Sequence, residues 1–183
     1  MLLAVVHANG THHAHLGVNE PIRIDDGTWN PEPYWDRLAD TMARRINLGD
    51  DVVYIPYVNN SHKTDIFTNP DTMRRALSND PILQRLGNYA GRLVVAPGAT
   101  GLDPKLFGHD YATERKWRMS LQEFGAINHF ACFVGAYTTA CVAETALNLA
   151  RVIPTSIDPD LSVDIRGEGY REQRPALPYL SVG

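Results

Sequence analysis

Runs of consecutive apolar residues recur along the chain, and they predict buried β-strands. Residues Leu2 to Val6 are all apolar, which is typical of a strand covered on both faces within a parallel sheet. Further strands are predicted at residues 51–58, 92–96, 129–135 and 152–157, which are rich in β-branched, aromatic and other apolar side chains. Pro56 predicts that the strand at 51–58 frays near that position.

Amphipathic stretches between these runs predict helices. Trp35, Leu38, Met42 and Ile46 recur at helical spacing, after Asn30-Pro31 as a candidate cap and before Gly49 as a candidate C-cap. Other helices are predicted after Asn69-Pro70 and after Asp80-Pro81, from 113 to 124 with a solvated charged face, and from about 139 to 151. The alternation predicts an α/β fold, with three α/β/α layers around a mostly parallel sheet and right-handed crossovers.

Length and composition fit one folded domain. The chain has 183 residues, and 44% of them are hydrophobic, which is enough for a core without disulfides or metals. We therefore expect a single domain over residues 1–183. The segment 159–183 contains several Gly and Pro residues, so we expect an irregular C-terminal tail there, a candidate to wrap a neighbouring subunit.

The charge balance narrows the class of partner. A formal charge of -4, from 17 basic and 21 acidic side chains, provides no basic surface for nucleic acid and no polybasic stretch for a membrane. The apolar run at Leu2 to Val6 is too short for a signal or a membrane span. The two cysteines, Cys132 and Cys141, are predicted on a buried strand and at a helix start, so a bridge between them is not expected. We expect a cytoplasmic protein that binds a small-molecule substrate or ligand, with no nucleic-acid or membrane partner.

Cys141 is the main candidate for chemistry, because it lies where a predicted strand turns into a predicted helix. The positive end of a helix lowers the pKa of a thiol. Backbone N–H groups in the first helical turn can also bind an oxyanion beside the sulfur. The alternative interpretation is a small buried residue that packs a helix onto the sheet. The spacing alone leaves both interpretations open.

The segment around Cys141 resembles the nucleophile segment of the isochorismatase-like cysteine hydrolases, the superfamily of isochorismatases and nicotinamidases. The resemblance rests on the order of strands and helices and on a strand followed by Gly135, Thr138, Cys141, Val142, Thr145 and Ala146. It implies a three-layer fold with strand order 3-2-1-4-5-6 and a homo-oligomer. It also implies that Cys141 attacks a carbonyl or imine carbon, that the N–H groups of Tyr137 and Cys141 bind the oxyanion, and that the Ala136–Tyr137 peptide is cis.

Two positions of the family's catalytic triad differ in this chain. The family ends its first strand with an aspartate that acts as general base, and this chain has His7 there, followed by Ala8 and Asn9. The family's lysine after the third strand falls at about Ala96-Pro97, and Lys105 is the nearest lysine further along. A neutral histidine, with an ordinary pKa near 6.5, can deprotonate a thiol, so a dyad of Cys141 and His7 is one hypothesis. The other is a strand-end histidine that hydrogen-bonds to the backbone.

Further polar and aromatic residues are candidates for a substrate pocket or a metal site. Asn9, Trp29 and Lys105 are candidates for the pocket together with Tyr137, although Trp29 is equally a candidate loop anchor. Oxygen and nitrogen ligands for a metal occur in a histidine-rich loop: His12, His13, His15, Glu20, Asp25 and Asp26. Some nicotinamidases hold a metal after the second strand, where this chain offers the incomplete set Asn59, Asn60, His62 and Asp65. We expect no metal and no cofactor.

The sequence supports two functions of different classes. One is a cysteine hydrolase that acts on a small amide, imide or related C–N substrate through the Cys141 thiolate. The other is a catalytically inactive protein of the isochorismatase fold that serves as a binding or assembly module, because the family's Asp and Lys are missing from their expected positions. A third hypothesis is a metal-dependent enzyme built on the histidine-rich loop. Whether the chain is an enzyme is left open by its sequence.

Overall fold

The structure is a computed structural model, and it describes residues 1–11, 23–24, 27–28, 32–57, 77–87, 93–96, 106–110, 115–119, 123 and 125–163. The strands are β1 (Leu2–Val6), β2 (Arg23–Ile24), β3 (Gly27–Thr28), β4 (Asp51–Ile55), β5 (Leu93–Val95), β6 (Leu106–Asp110), β7 (Arg115–Met119), β8 (Ala131–Ala136) and β9 (Thr155–Val163). The α-helices are α1 (Glu32–Asn47), α2 (Pro81–Leu86) and α3 (Ala143–Leu149). A 3₁₀ turn, Ala8–Thr11, follows β1, and a π-helical turn, Thr138–Val142, precedes α3.

A mostly parallel sheet forms the centre of the fold, in the order β7-β6-β5-β4-β1-β8-β9. The strands from β5 to β9 along this order run parallel, whereas β6 and β7 extend the sheet antiparallel beyond β5. This confirms the α/β class. Numbered along the chain, the parallel strands have the order 3-2-1-4-5, so the described residues contain five parallel strands and not the six that the resemblance implies.

Alternate residues of the central strands point to opposite faces, and each face is covered by helices. On one face Leu3, Val5, Val52 and Tyr54 pack with α1 and α2 through side chains such as Leu38. The other face carries Leu2, Ala4, Val53 and Phe133, which pack with Leu149 and Ala146 of α3. Both faces of the strands are therefore buried, which explains why the central strands are almost continuously apolar.

The order of the sheet predicts a ligand site at the carboxyl ends of β1 and β8. β4 and β5 lie on one side of β1, and β8 and β9 lie on the other. In open α/β sheets, ligands bind outside the carboxyl ends of the strands at such a change of direction. We therefore expect the residues that follow β1, β4 and β8 to form the functional site.

Two predicted helix ends are confirmed. Gly49 follows α1 with a φ of +80°, and its N–H donates to the carbonyl of Ile46 at 2.9 Å. Asp80 caps α2, because its carboxylate accepts hydrogen bonds from the N–H groups of Ile82 and Leu83, both at 3.0 Å. None of the helices in the described residues has the length and apolar character needed to cross a membrane.

The predicted helix at 113–124 is wrong, because Arg115–Met119 forms strand β7. This strand pairs antiparallel with β6 over five positions, from Leu106 opposite Met119 to Asp110 opposite Arg115. The helix was predicted from the spacing of Trp117 and Leu121. The strand instead depends on hydrogen bonds to β6, which a local spacing does not reveal.

The last strand also differs from its prediction. β9 spans Thr155–Val163 rather than residues 152–157, and its register with β8 shifts between Phe133 and Gly135. Residues 159–163 are consequently part of the sheet, not of an irregular tail. The remainder of the predicted tail, residues 164–183, lies outside the described residues, and the single-domain organisation stays a prediction.

Candidate functional site

The carboxyl ends of β1 and β8 lie side by side and hold the two predicted catalytic residues. Val6 and Gly135 are partners in the parallel pairing of these strands. His7 follows Val6 directly, and the segment from Tyr137 to Cys141 follows the end of β8. The tertiary structure thus brings the general-base candidate and the nucleophile candidate to the same edge of the sheet.

His7 is buried and has an unusual backbone conformation. Its exposed fraction is 3%, and its φ is +49°. Its N–H donates to the carbonyl oxygen of Ile55 at 2.8 Å, which continues the hydrogen bonding between β1 and β4. A non-glycine residue with positive φ is uncommon, and such residues cluster at functional sites. The conformation makes His7 a candidate functional residue, and its backbone hydrogen bond also fits the alternative of a strand-end histidine.

The turn between β8 and α3 carries Cys141. The Ala136–Tyr137 peptide bond is cis, as the resemblance implies. The carbonyl oxygen of Tyr137 accepts hydrogen bonds from the N–H groups of Ala140 at 3.1 Å and Val142 at 3.2 Å. Cys141 is half-buried and is not in a disulfide, and its carbonyl oxygen accepts a hydrogen bond from the hydroxyl of Thr145 at 2.6 Å. Single π-helical turns are frequent at functional sites.

Tyr137 connects this turn to a further tyrosine, Tyr57. The pKa of the Tyr137 hydroxyl is raised to about 12, mainly by burial and also by negative charge on Cys141 and on Tyr57. The three side chains therefore lie close enough to interact electrostatically. At neutral pH the Tyr137 side chain is a neutral phenol, which can still donate a hydrogen bond.

Sequence reasoning missed Tyr57, which lies just beyond β4. Its ring forms an edge-to-face pair with His7, with centroids 5.4 Å apart and planes at 88°. Tyr57 follows the strand next to β1, so its place at the carboxyl edge of a parallel sheet was the available signal. His7 thus contacts Tyr57, and Tyr57 and Cys141 both interact electrostatically with Tyr137.

Asn9 also lies at this edge, where it holds the main chain of Tyr57. Its side-chain amide donates to the Tyr57 carbonyl oxygen at 3.2 Å, and its side-chain oxygen accepts the Tyr57 N–H at 2.7 Å. The turn that carries Asn9 is itself fixed by Trp35, whose indole N–H donates to the carbonyl of Ala8 at 3.1 Å. Whether Asn9 also contacts a substrate stays a prediction.

At the position expected for the family's lysine, the structure has an apolar residue. Ala96 follows β5, is fully buried and donates its N–H to the carbonyl of Tyr54 at 2.8 Å. The other two predicted pocket residues, Trp29 and Lys105, lie outside the described residues. The described part of the site therefore contains a histidine, tyrosines and a thiol, and Ala96 is one of the two positions at which the resemblance implies a lysine.

The metal hypotheses fall on parts of the chain that the structure does not describe. These are the histidine-rich loop and the segment after β4, with the candidate ligands His12, His13, His15, Glu20, Asp25, Asp26, Asn59, Asn60, His62 and Asp65. Within the described ranges, no three His, Cys, Asp or Glu side chains are grouped so that they could hold an ion. The expectation of no metal stays a prediction.

The two cysteines lie in different layers of the fold. Cys132, on β8, packs against the layer that contains α1, whereas Cys141 packs against the layer that contains α3. Neither cysteine is in a disulfide. Burial is the main cause that raises the pKa of the Cys132 thiol, although a hydrogen bond with Ser156 partly opposes it. Cys132 therefore has little thiolate at neutral pH and serves as an internal reference for Cys141.

A solved structure similar to this chain is that of the nicotinamidase SaPncA from Staphylococcus aureus. It is 11% identical to this chain, the alignment covers 92% of this chain and 88% of that one, and the TM-score is 0.48. No protein-family model matches the sequence, and no curated protein is significantly similar to it.

Proposed function

We propose that the protein is a cysteine hydrolase of small amides or related C–N compounds, with Cys141 as nucleophile and His7 as general base. The observation that carries the proposal is the convergence of these residues at the paired ends of β1 and β8. A buried histidine with a positive φ follows β1, and a turn with a half-buried thiol follows β8, the strand paired with β1. The resemblance of the segment from Gly135 to Ala146 to the nucleophile segment of the isochorismatase-like hydrolases supports the same chemistry.

In the proposed reaction, His7 accepts the proton of the Cys141 thiol, and the thiolate attacks the carbonyl carbon of the substrate. The electron pair of the C=O bond moves to oxygen, and this oxyanion is bound by the N–H groups of Tyr137 and Cys141. Collapse of the tetrahedral intermediate breaks the C–N bond, and the departing nitrogen takes the proton from the His7 imidazolium. Water, deprotonated by His7, then hydrolyses the thioester, which releases a carboxylic acid and restores the thiol.

Tyr137 has a second part in this scheme through its side chain. Because the pKa of its hydroxyl is raised to about 12, it stays protonated throughout the pH range in which a histidine base works. A neutral phenol near Cys141 can donate a hydrogen bond to the substrate or to the thiolate. It would thus provide part of the stabilisation that a lysine gives in the family, at a site where Ala96 occupies the expected lysine position.

A second candidate function is a binding or assembly module that retains the fold without the chemistry. The specific observation in its favour is the buried Ala96 at the end of β5, together with His7 in place of an aspartate. Assembly into a homo-oligomer is part of either proposal, by resemblance. Light scattering on the purified protein measures the oligomeric state directly.

The experiment is a screen of small primary amides and imides for ammonia release and for a covalent acyl-enzyme by intact-protein mass spectrometry. We expect turnover by the wild type and by the matched control Cys132→Ala, which removes the other thiol. Cys141→Ala should lose at least about a thousandfold of the rate, and His7→Ala about a hundredfold or more. Full activity of Cys141→Ala would exclude the proposed nucleophile. Saturable binding of an amide without turnover or acyl-enzyme would favour the binding module.

A further inference from the structure

The side-chain amide of Asn9 forms the same pair of hydrogen bonds with the main chain of Tyr57 that a residue of a neighbouring strand would form. Both main-chain polar groups of Tyr57 pair with the one amide of Asn9, at 2.7 and 3.2 Å, although the two residues are 48 positions apart. β4 ends at Ile55, and Pro56 has no N–H to continue a ladder of hydrogen bonds. Asn9 therefore extends the pairing of β1 with β4 beyond the strands and fixes the backbone from which the Tyr57 ring projects.

The ring that is fixed in this way lies against His7. The centroids are 5.4 Å apart and the planes are nearly perpendicular. A cation that lies over the face of an aromatic ring, within about 6 Å of its centroid, is attracted by the electron-rich face. A perpendicular pair meets this condition when the edge of the imidazole points at the face of the tyrosine ring. The same attraction is available to His7 when it becomes an imidazolium, in a site where only 3% of its surface is exposed to water. Burial alone would oppose that protonation, because it disfavours the charged form of histidine.

We propose that Tyr57, held by Asn9, is a positioning residue that orients the His7 imidazole and stabilises its protonated form. This inference rests on the proposed function, because it concerns the proton that His7 takes from Cys141. In that step the S–H bond of Cys141 breaks, an N–H bond forms on the imidazole, and a thiolate and an imidazolium result. Tyr57 favours the products of the transfer, and neither it nor Asn9 loses or gains a proton. Among the described titratable groups, Tyr137 interacts electrostatically with both Tyr57 and Cys141.

The test uses iodoacetamide, which reacts with thiolates, and follows Cys141 and Cys132 separately by peptide mass spectrometry between about pH 5 and 9. In the wild type, we expect Cys141 to react well below the pH at which Cys132 reacts, and His7→Ala to abolish this difference. Tyr57→Leu removes the aromatic ring, and it should slow Cys141 alkylation near pH 6 by roughly threefold to tenfold. Tyr57→Phe keeps a ring and should stay within about twofold of the wild type.

Asn9→Ala provides a second variant, because it leaves every aromatic side chain in place. It should lower the Cys141 rate in the same direction as Tyr57→Leu, and the Cys132 rate should not change in either variant. If the rate of Cys141 alkylation depends on pH in both Tyr57→Leu and Asn9→Ala as it does in the wild type, this inference is overturned and the proposed dyad stays intact. A Cys141 that reacts as an ordinary thiol in the wild type and is unaffected by His7→Ala would overturn the dyad and the inference together.

Discussion

A Cβ atom on Gly135 would lie 2.0 Å from the carbonyl oxygen of Val6. Real Cβ atoms do not approach a backbone oxygen so closely, and Gly135 also has a φ of +128°, which side-chain-bearing residues rarely adopt. The glycine therefore lets β8 lie close to β1 at the level where His7 and Tyr137 emerge. The absence of a side chain at Gly135 therefore allows the short distance between the ends of β1 and β8, which carry the candidate site.

We expect Gly135→Ala to lower the free energy of unfolding by roughly 3 kcal/mol or more, because it combines a backbone clash with conformational strain. Urea denaturation of the purified variant measures the change. Gly49→Ala is the matched control, since Gly49 also has a positive φ but a Cβ there would meet no atom within 4 Å. That control should lose only about 1 kcal/mol. Equal losses in the two variants would show that close contact with Val6 is not the cause.

Asp80 provides a test of how α2 is anchored to the sheet. Its carboxylate caps the helix and also accepts the hydroxyl of Tyr54 at 2.8 Å. We expect Asp80→Ala to lower the free energy of unfolding by about 2 kcal/mol, from the lost cap and the lost hydrogen bond together.

Asp80→Asn separates hydrogen bonding from charge at that position. Burial is the main cause that raises the pKa of the Asp80 carboxyl, so its negative charge is not what stabilises the fold. The asparagine oxygen can still cap α2, and the variant should retain stability within about 1 kcal/mol of the wild type. A loss as large as that of Asp80→Ala would show that the charge itself is required. Thermal and urea unfolding of both variants provide the comparison.

The raised pKa of Tyr137 predicts how stability depends on alkaline pH. A group with a raised folded-state pKa contributes stability that is present below its unfolded value of about 10 and is lost as pH rises through the folded value of about 12. The free energy of unfolding should therefore fall between pH 8 and pH 11, and Tyr137→Phe should remove on the order of 1 kcal/mol of that fall.

Tyr34 offers a second variant for the same measurement. Burial also raises the pKa of its hydroxyl, which donates to the carbonyl of Leu161 at 3.3 Å. Tyr34→Phe should likewise weaken the alkaline fall in stability. The free energy of unfolding is compared at pH 8 and pH 11. If neither phenylalanine variant changes the difference between these two free energies, burial of these hydroxyls does not control the alkaline stability.

The local sequence determined those features whose cause is local. The central parallel strands are apolar runs because both of their faces are covered, and the Asp80-Pro81 pair predicts a helix start because both residues act within one turn. The motif around Cys141 likewise placed a thiol between a strand and a helix. These features could be predicted because the responsible residues are near each other in the chain.

Only the tertiary structure decided the features that join distant parts of the chain. The pairing of β6 with β7 replaced a predicted helix, and residues beyond 158 continued β9 because β8 offered hydrogen-bond partners. Three further features could not be predicted from the sequence. They are the positive φ of His7, its ring contact with Tyr57, and the hydrogen bonds from Asn9 to the main chain of Tyr57. Each depends on strands that meet in space and are separated by tens of residues in the chain, so no periodicity or local propensity encodes them.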